Sequence, residues 1–560
     1  GTLSADSRFI APTIPTTYVL AGQTRTTTGD VHFLTNLTNQ PPIAVHDAYT
    51  LSKGGGPVLV KDIRTGAGSN PSDFVNVNGT LYFTADNGVN GRELWKSNGT
   101  PEGTVLVKDI VAGFYGSNPS HLTNVNGTLF FTAETEATGR ELWKIDGTAG
   151  AMLVKDINPG TGYGISHLLT DILININGKL FFTANNGVDG VELWTSNGTG
   201  PGTMMVKDIY PGPSTSHPSL FTSFKDMLFF TAFNVATGDY DLWRSDGTGP
   251  GTQVVRHFSA SVTPPFAELK VVGESLFFTA DDGVNGVELW KTNGTTVGTV
   301  MVANINTIVS TSRNFGSSPS HLTNVNGTLF FTANNGVNGR ELWKSTGTAA
   351  GTVLVRDITP GGPQDGTDFH DLTSIGNKLF FRAFGTSGNL ELWKSDGTGP
   401  GTVSLGVTLP DRANGSPLIT DVNGIAYFRS SNYDLWRSDG TVAGTVRVMS
   451  GSNTIALVNV NGTLFFSGGL ASTGRELMKV GQANALLNGN VLTNDRDPEG
   501  KPLTAVRVSG PTKGTLTLNA NGTFTYRPNA GFIGTDSFTY RASDGLVTSN
   551  LATVTITVRA

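Results

Sequence analysis

The sequence predicts an all-β protein dominated by a β-propeller, and three observations carry that reading. One phrase repeats nine times between Gly56 and Lys479, each copy holds short runs rich in Val, Phe and Thr with no helical period, and tight-turn dipeptides separate the runs. The copies are roughly 42 to 53 residues long, and all eight tryptophans fall at one point in them: Trp95, Trp143, Trp194, Trp243, Trp290, Trp343, Trp393 and Trp436. The ninth copy reads RELMK and carries Met478 there. Self-similarity at a fixed period implies stacked supersecondary units rather than one irregular core.

Within the second copy the runs are 105–110, 122–125, 129–133 and 141–144. Asn126-Gly127 separates the second and third, and Asp146-Gly147 follows the fourth, dipeptides that favour the positive φ of two-residue hairpins. Four short antiparallel strands per copy make a propeller blade. A parallel β-helix would use shorter coils, and separate hairpins would leave their aromatic faces in water. Closure is also written in the chain. The first run, 56–63, has no earlier blade to serve, and the last blade, ending near Val480, lacks a fourth strand, so the two are expected to complete one blade. Propellers commonly have four to eight blades, so the two shortest copies, the eighth and ninth, are the ones that would fall outside a smaller ring.

The phrase VLVKDI, LTNVNGTLFFTA, GRELWKSNGT resembles the ELW/DGT/GT repeat of large secreted bacterial proteins, including hyalin-like surface proteins, over about three quarters of the chain. The resemblance implies extracellular repeats and no particular reaction. From Ala485 onward the pattern changes to NGNVLTNDRDPEGKPLTAV, then GTFTYRPNAGFIGTDSFTYRASDG, then ATVTITV. That stretch resembles the cadherin-like and immunoglobulin-like modules of bacterial adhesins. Such modules open on a strand of the type PPVAVDDAY, and here its counterpart is Pro41 to Tyr49, more than four hundred residues early. The expected architecture is therefore a nine-bladed β-propeller (56–480) inserted into an immunoglobulin-like β-sandwich (41–55 and 481–560). The alternative is that 41–52 is a linker strand. His46 stands where the modules usually have the first Asp of a pair, which puts any metal role of that pair in doubt.

Residues 1–40 are Thr-rich, and Asp30 to Thr38 reads as a lone strand. A spare strand of this kind would pair with a neighbouring subunit, giving self-association into a fibre by strand exchange; a locally docked or disordered tail is the alternative. The chain starts at Gly1, which is read as a processed N-terminus.

With 38 basic against 44 acidic residues there is no basic field to hold nucleic acid. No run of 18 apolar residues offers a membrane span. Cysteine is absent, which excludes disulfides and thiolate chemistry. An extracellular bacterial protein fits these counts. The Asn-Gly-Thr sequons, such as Asn78, Asn98 and Asn126, are explained as hairpin turns.

A carboxylate precedes the Leu of every copy: Glu93, Glu141, Glu192, Asp241, Glu288, Glu341, Glu391, Asp434 and Glu476. Nine catalytic acids in one ring would serve no purpose, so pairing between strands or blades is expected, with the tryptophans as wedges between blades. Of eight histidines, His121, His167 and His321 share one repeat position at the entry to the inner strand, with His217 and His370 close by. They are candidates for a metal or an anionic ligand at one mouth, against separate surface histidines. Asp495, Asp497 and Glu499, followed by Gly500, alternate as in the first half of a calcium loop, against an ordinary acidic turn; Val506 stands where a helix-loop-helix calcium site needs Glu. No metalloprotease, nucleophile-elbow or phosphate-loop signature is present. The expected function is a non-enzymatic extracellular structural or adhesive protein, with a lectin binding surface glycans as the runner-up and a hydrolase or lyase third.

Overall fold

The computed structural model describes residues 18–20, 23–25, 39–52, 56–147, 150–166, 173–258, 266–308, 316–360, 369–385, 388–409, 419–430, 432–469, 474–480, 487–529, 532 and 534–559. The expected strand at 30–38, and with it the donor-strand segment, lies outside these residues, as does His167. The described residues are all-β, without a helix. The chain forms two compact units, one of residues 55–482 and one of residues 1–54 with 483–560.

The larger unit contains nine four-stranded antiparallel sheets among the described residues, a propeller-like arrangement. Sheet 1 consists of Ser72–Val77, Thr80–Asp86, Arg92–Ser97 and Val105–Lys108. Sheets 2 to 8 repeat this meander over 120–155, 173–207, 219–257, 266–303, 320–356, 369–408 and 419–449. Sheet 9 takes three strands from 456–480 and its fourth from Pro57–Lys61, with Met478 opposite Leu59. The expected completion of the last sheet by the first strand is thus realised through hydrogen bonds.

Local chemistry explains the meander. Asn126 (φ 49°) and Gly127 (φ 87°) are both left-handed, the conformation a two-residue hairpin needs, and they place Val125 opposite Thr128. The Phe-Phe run of the second strand faces the Trp strand, with Phe83 opposite Trp95 and Phe131 opposite Trp143. A bulge between the Leu and Trp of the third strand recurs along its pairing with the fourth strand.

Apolar burial then ties consecutive sheets together. Each Trp packs on the sheet before its own: Trp143 lies with Val77 and Leu94 of sheet 1, Trp194 with Val125, Phe130 and Leu142 of sheet 2. Met478 takes the same place against Val422 and Leu435 of sheet 8, and Trp95 packs on Val460, Phe465 and Leu477 of sheet 9. The succession of packed sheets therefore closes on itself. A buried Trp removes enough apolar surface to stabilise such a junction by about 5 kcal/mol as an upper figure. Basic side chains of the fourth strand lie over several of these rings and reach the next sheet. Lys155 sits 5.7 Å from the Trp194 ring centre and donates to the Thr203 carbonyl at 2.7 Å, and Arg256 sits 5.0 Å from Trp290 and donates to Thr299 at 2.7 Å.

In the smaller unit, Asp47–Ser52 pairs in parallel with Ala552–Arg559, which continues through Gly534–Ser543 to Thr504–Ser509. A second sheet holds Leu487–Asn490, Thr523–Pro528 and Gly514–Leu518. Alternation of the strands puts Phe524, Tyr526, Phe538, Tyr540, Val554, Ile556 and Val558 in one core.

Candidate functional site

The recurring carboxylates are fully buried in Glu93, Glu141, Glu192, Asp241, Glu288, Glu341 and Glu476. Except at Asp241, their partners are not cross-strand bases but the crossover that leads to the next sheet. Glu93 accepts from the Ser117 amide at 2.8 Å, the Ser117 hydroxyl at 2.6 Å and the Val111 amide at 3.1 Å. Glu192 does the same with Ser216 and Ile209, and Glu288 with Ser317 and Ile305. Each carboxylate thus satisfies backbone donors of an irregular, buried segment that no strand could pair. Burial pushes the carboxyl groups of Glu141, Glu192 and Glu341 up to about 7, against the hydrogen bonds that pull them down. Asp241, one methylene shorter, takes His257 Nδ1 at 2.7 Å and Asn234 at 2.7 Å instead.

The repeated meander fixes where loops gather. Hairpins between second and third strands and crossovers between sheets leave the same end of the strands, and the first strands begin there. Gly91 in the hairpin of sheet 1 shows the closeness: a Cβ on it would lie 2.4 Å from the Phe114 carbonyl oxygen of the crossover.

At this end sheets 7 and 8 depart from the repeat. The second-strand position opposite the Leu of the third strand is a buried Thr in sheets 1 to 6, namely Thr84, Thr132, Thr183, Thr231, Thr279 and Thr332, and Ser467 in sheet 9. In sheets 7 and 8 it is Arg382, opposite Leu392, and Arg429, opposite Leu435. Both arginines are buried, 1% and 5% exposed. Arg382 Nε donates to Asp371 Oδ2 at 2.6 Å. Arg429 lies 4.8 Å from the centre of the Tyr433 ring and donates from Nη1 to the Thr454 carbonyl at 3.3 Å. Burial lowers the Arg429 affinity for its proton, with Arg382 acting in the same sense and Tyr433 and Asp371 against it.

His321 adjoins this group. It occupies a left-handed bulge (φ 60°), and its amide and that of Leu322 are held by Glu268 at 2.6 and 2.7 Å. Its ring is pushed toward the neutral form by burial, then acted on by Glu268, His370, Arg340 and Asp371. His121 is at the same register in sheet 2, beside the hydroxyls of Ser120 and Thr132, so the structure does not bring His121 and His321 together. The arginine pair was missed in the sequence, although FFRA at 380–383 and YFRS at 427–430 in place of FFTA are its visible signal.

In the smaller unit the three candidate calcium ligands are engaged separately. Asp495 accepts from the Val45 amide at 2.8 Å and the Tyr540 hydroxyl at 2.9 Å. Asp497 caps the amides of Glu499 and Lys501, both at 3.0 Å, and Glu499 is near the Gln40 amide at 3.4 Å. Among the described residues no group of three or more His, Cys, Asp or Glu is arranged to hold a metal ion. Asp495 instead meets Asp47 at Tyr540, whose hydroxyl is 3.3 Å from Asp47 Oδ2 and donates to the Val491 carbonyl at 2.7 Å. Burial is the main cause that raises the Asp47 carboxyl to about 6, and the Asp495 charge adds to it. His46 accepts from the Thr553 amide at 2.8 Å.

Residues 471–560 match the bacterial cadherin-like domain family. The match starts before the smaller unit does, since Glu476–Val480 is the third strand of sheet 9. No curated protein matches the chain. Among solved structures, a puromycin-hydrolysing peptidase of Mycobacterium tuberculosis is similar at 9% identity and a TM-score of 0.36, over 88% of this chain and 61% of that one. A prolyl endopeptidase is similar at 11% and 0.35, over 61% and 50%, and BamB of Moraxella catarrhalis at 12% and 0.30, over 55% and 80%. The chain thus spans between half and two thirds of the two peptidases.

Proposed function

We propose that this is an extracellular bacterial adhesive protein: a nine-bladed propeller, inserted in a cadherin-like sandwich, that displays one loop-bearing end to a partner surface. The observation that carries the reading is a set of exposed apolar side chains at one hairpin position. Val89, Val188, Val284 and Val337 are 60 to 74% exposed, each at the tip between second and third strands. Their tips are held rigid: Asn87 accepts from the amides of Val89 and Asn90 at 3.0 and 2.8 Å, and Asn335 does the same for Val337 and Asn338. Phe114 and Tyr115, 66% and 86% exposed, add aromatic surface beside the first tip. Apolar groups held out in water at repeated positions of one end suit contact with another surface. The match of 471–560 to a bacterial cadherin-like domain supports the same reading.

Strand exchange through residues 1–40, giving a surface filament, belongs to this proposal. Electron microscopy of native material, with and without residues 1–40, tests it. Filaments that vanish with the segment are expected; discrete single particles in both samples would remove the filament from the proposal.

A further inference from the structure

We propose that Arg382 and Arg429, with Tyr433 over Arg429 and His370 opposite Arg382 in the ladder, form a binding site for an oxyanion-bearing ligand, the carboxylate of an acidic sugar. The inference does not rest on the adhesive reading. Its first ground is the break in the repeat. Seven sheets place a small hydroxyl at this position, and only two adjacent ones place a guanidinium there. Arg92 of sheet 1 is spent on its own surroundings, donating to Ser72, Thr84 and the Asn70 carbonyl at 2.9 to 3.0 Å, and Arg382 is likewise tied to Asp371, whereas Arg429 donates only to the Thr454 carbonyl among the described residues.

Charge is the second ground. The ionised groups that act on His321 and Arg429 are Arg340, Arg382 and Arg429 against Glu268 and Asp371. Both Glu268 oxygens are occupied by backbone amides. Asp371 is bound to Arg382, so Arg429 has no carboxylate of its own. A buried charge without a counter-ion is costly, and a guanidinium fork matches an oxyanion in shape and hydrogen-bond direction.

The third ground is an unused donor. Nε of Arg429 is buried with no partner, and Nδ1 of His321 is in the same condition. Two side chains in contact with the arginines reach solvent: Asp371 is 23% exposed and Tyr433 46%. Tyr433 is held at φ 59° by the turn in which its amide donates to the Ser430 carbonyl at 3.0 Å. A non-glycine residue kept in this conformation stores strain of the kind found at ligand sites. Its ring over Arg429 offers a face for a pyranose, while the arginines take the carboxylate.

Calorimetric titration of the full chain with glucuronate, inorganic phosphate, sulfate and neutral glucose tests the proposal. Glucuronate is expected to bind and glucose not, with Arg429→Gln weakening glucuronate by at least about tenfold. Arg92→Gln, outside the site, is expected to leave binding unchanged. Should Arg429→Gln fail to fold, Tyr433→Ala changes an exposed side chain and is expected to weaken glucuronate as well. Phosphate or sulfate binding with no response to glucuronate would overturn the acidic sugar in favour of a free oxyanion. No binding of any anion, or equal binding by wild type and variants, would overturn the site.

Discussion

Glu476 offers the sharpest perturbation, because its carboxylate holds the crossover that follows the first strand of the cycle. It accepts from Ser69 N at 2.8 Å, Ser69 Oγ at 2.6 Å, Ile63 N at 3.1 Å and Arg64 N at 3.3 Å, across some four hundred residues of chain. Glu476 and Ser69 are both fully buried. In Glu476→Ala the two Ser69 donors lose their acceptor away from water, at about 1 to 3 kcal/mol each, while the half-buried Ile63 and Arg64 amides regain water. Relief from burying an ionisable group offsets part of this, leaving a cost of about 3 kcal/mol. Glu476→Gln keeps the shape and one acceptor oxygen and should cost about 1 kcal/mol. Hydrogen exchange read by mass spectrometry is the assay. Amides of Val58 to Lys61 should exchange about a hundredfold faster in Glu476→Ala, the factor that corresponds to about 3 kcal/mol. Glu288→Ala removes equivalent bonds to the crossover that follows sheet 5 and should leave exchange at 58–61 unchanged. A cost under about 1 kcal/mol, or equal acceleration at 58–61 in both variants, would refute the clamp.

Three further outcomes are expected. Glu141, Glu192 and Glu341 are raised to about 7 and Asp47 to about 6, so the folded state holds protons that the unfolded chain releases near its ordinary 4 to 4.5. Stability should therefore fall as pH rises from 5 to 7.5, by up to about 1.4 kcal/mol per pH unit for each group in its window; calorimetric scans showing a flat or rising trend would contradict this. Tyr540→Phe removes the hydroxyl shared by Val491, Asp495 and Asp47 and should cost about 1 to 3 kcal/mol, read by exchange in Gly534–Ser543; wild-type protection there would refute the role. Calcium with or without chelator should leave the melting temperature of the chain unchanged, and a rise of several degrees on adding calcium would contradict the separate engagement of Asp495, Asp497 and Glu499.

What could be read from the sequence follows the repeat. Nine copies at fixed period placed the hairpins, the Trp strand and the completion of sheet 9 by 57–61, because each of these depends on a local pattern or on a count of strands. The recurring Glu was legible as framework but its partners were not. Strand reasoning looks for pairs across a ladder, whereas Glu93 and its equivalents serve amides in an irregular crossover with no pattern of its own. Averaging over copies also hid the site at sheets 7 and 8, since Arg382 and Arg429 are departures from the consensus that the consensus defines as noise. Asp47 escaped for a related reason: it was read as the remainder of a damaged pair with His46, while its partner, Tyr540, lies in a strand that reads only as core. Asp495, Asp497 and Glu499 alternate in sequence, yet alternation along a turn does not aim three carboxylates at one point.

The most direct test of the adhesive reading is retention of the full labelled chain on bacterial and host cell surfaces, compared with a variant in which Val89, Val188, Val284 and Val337 are all changed to Ser. The account predicts saturable retention by the wild type and its loss in the variant at unchanged melting temperature. Equal retention of the two proteins, or none by the wild type on any surface, would contradict it.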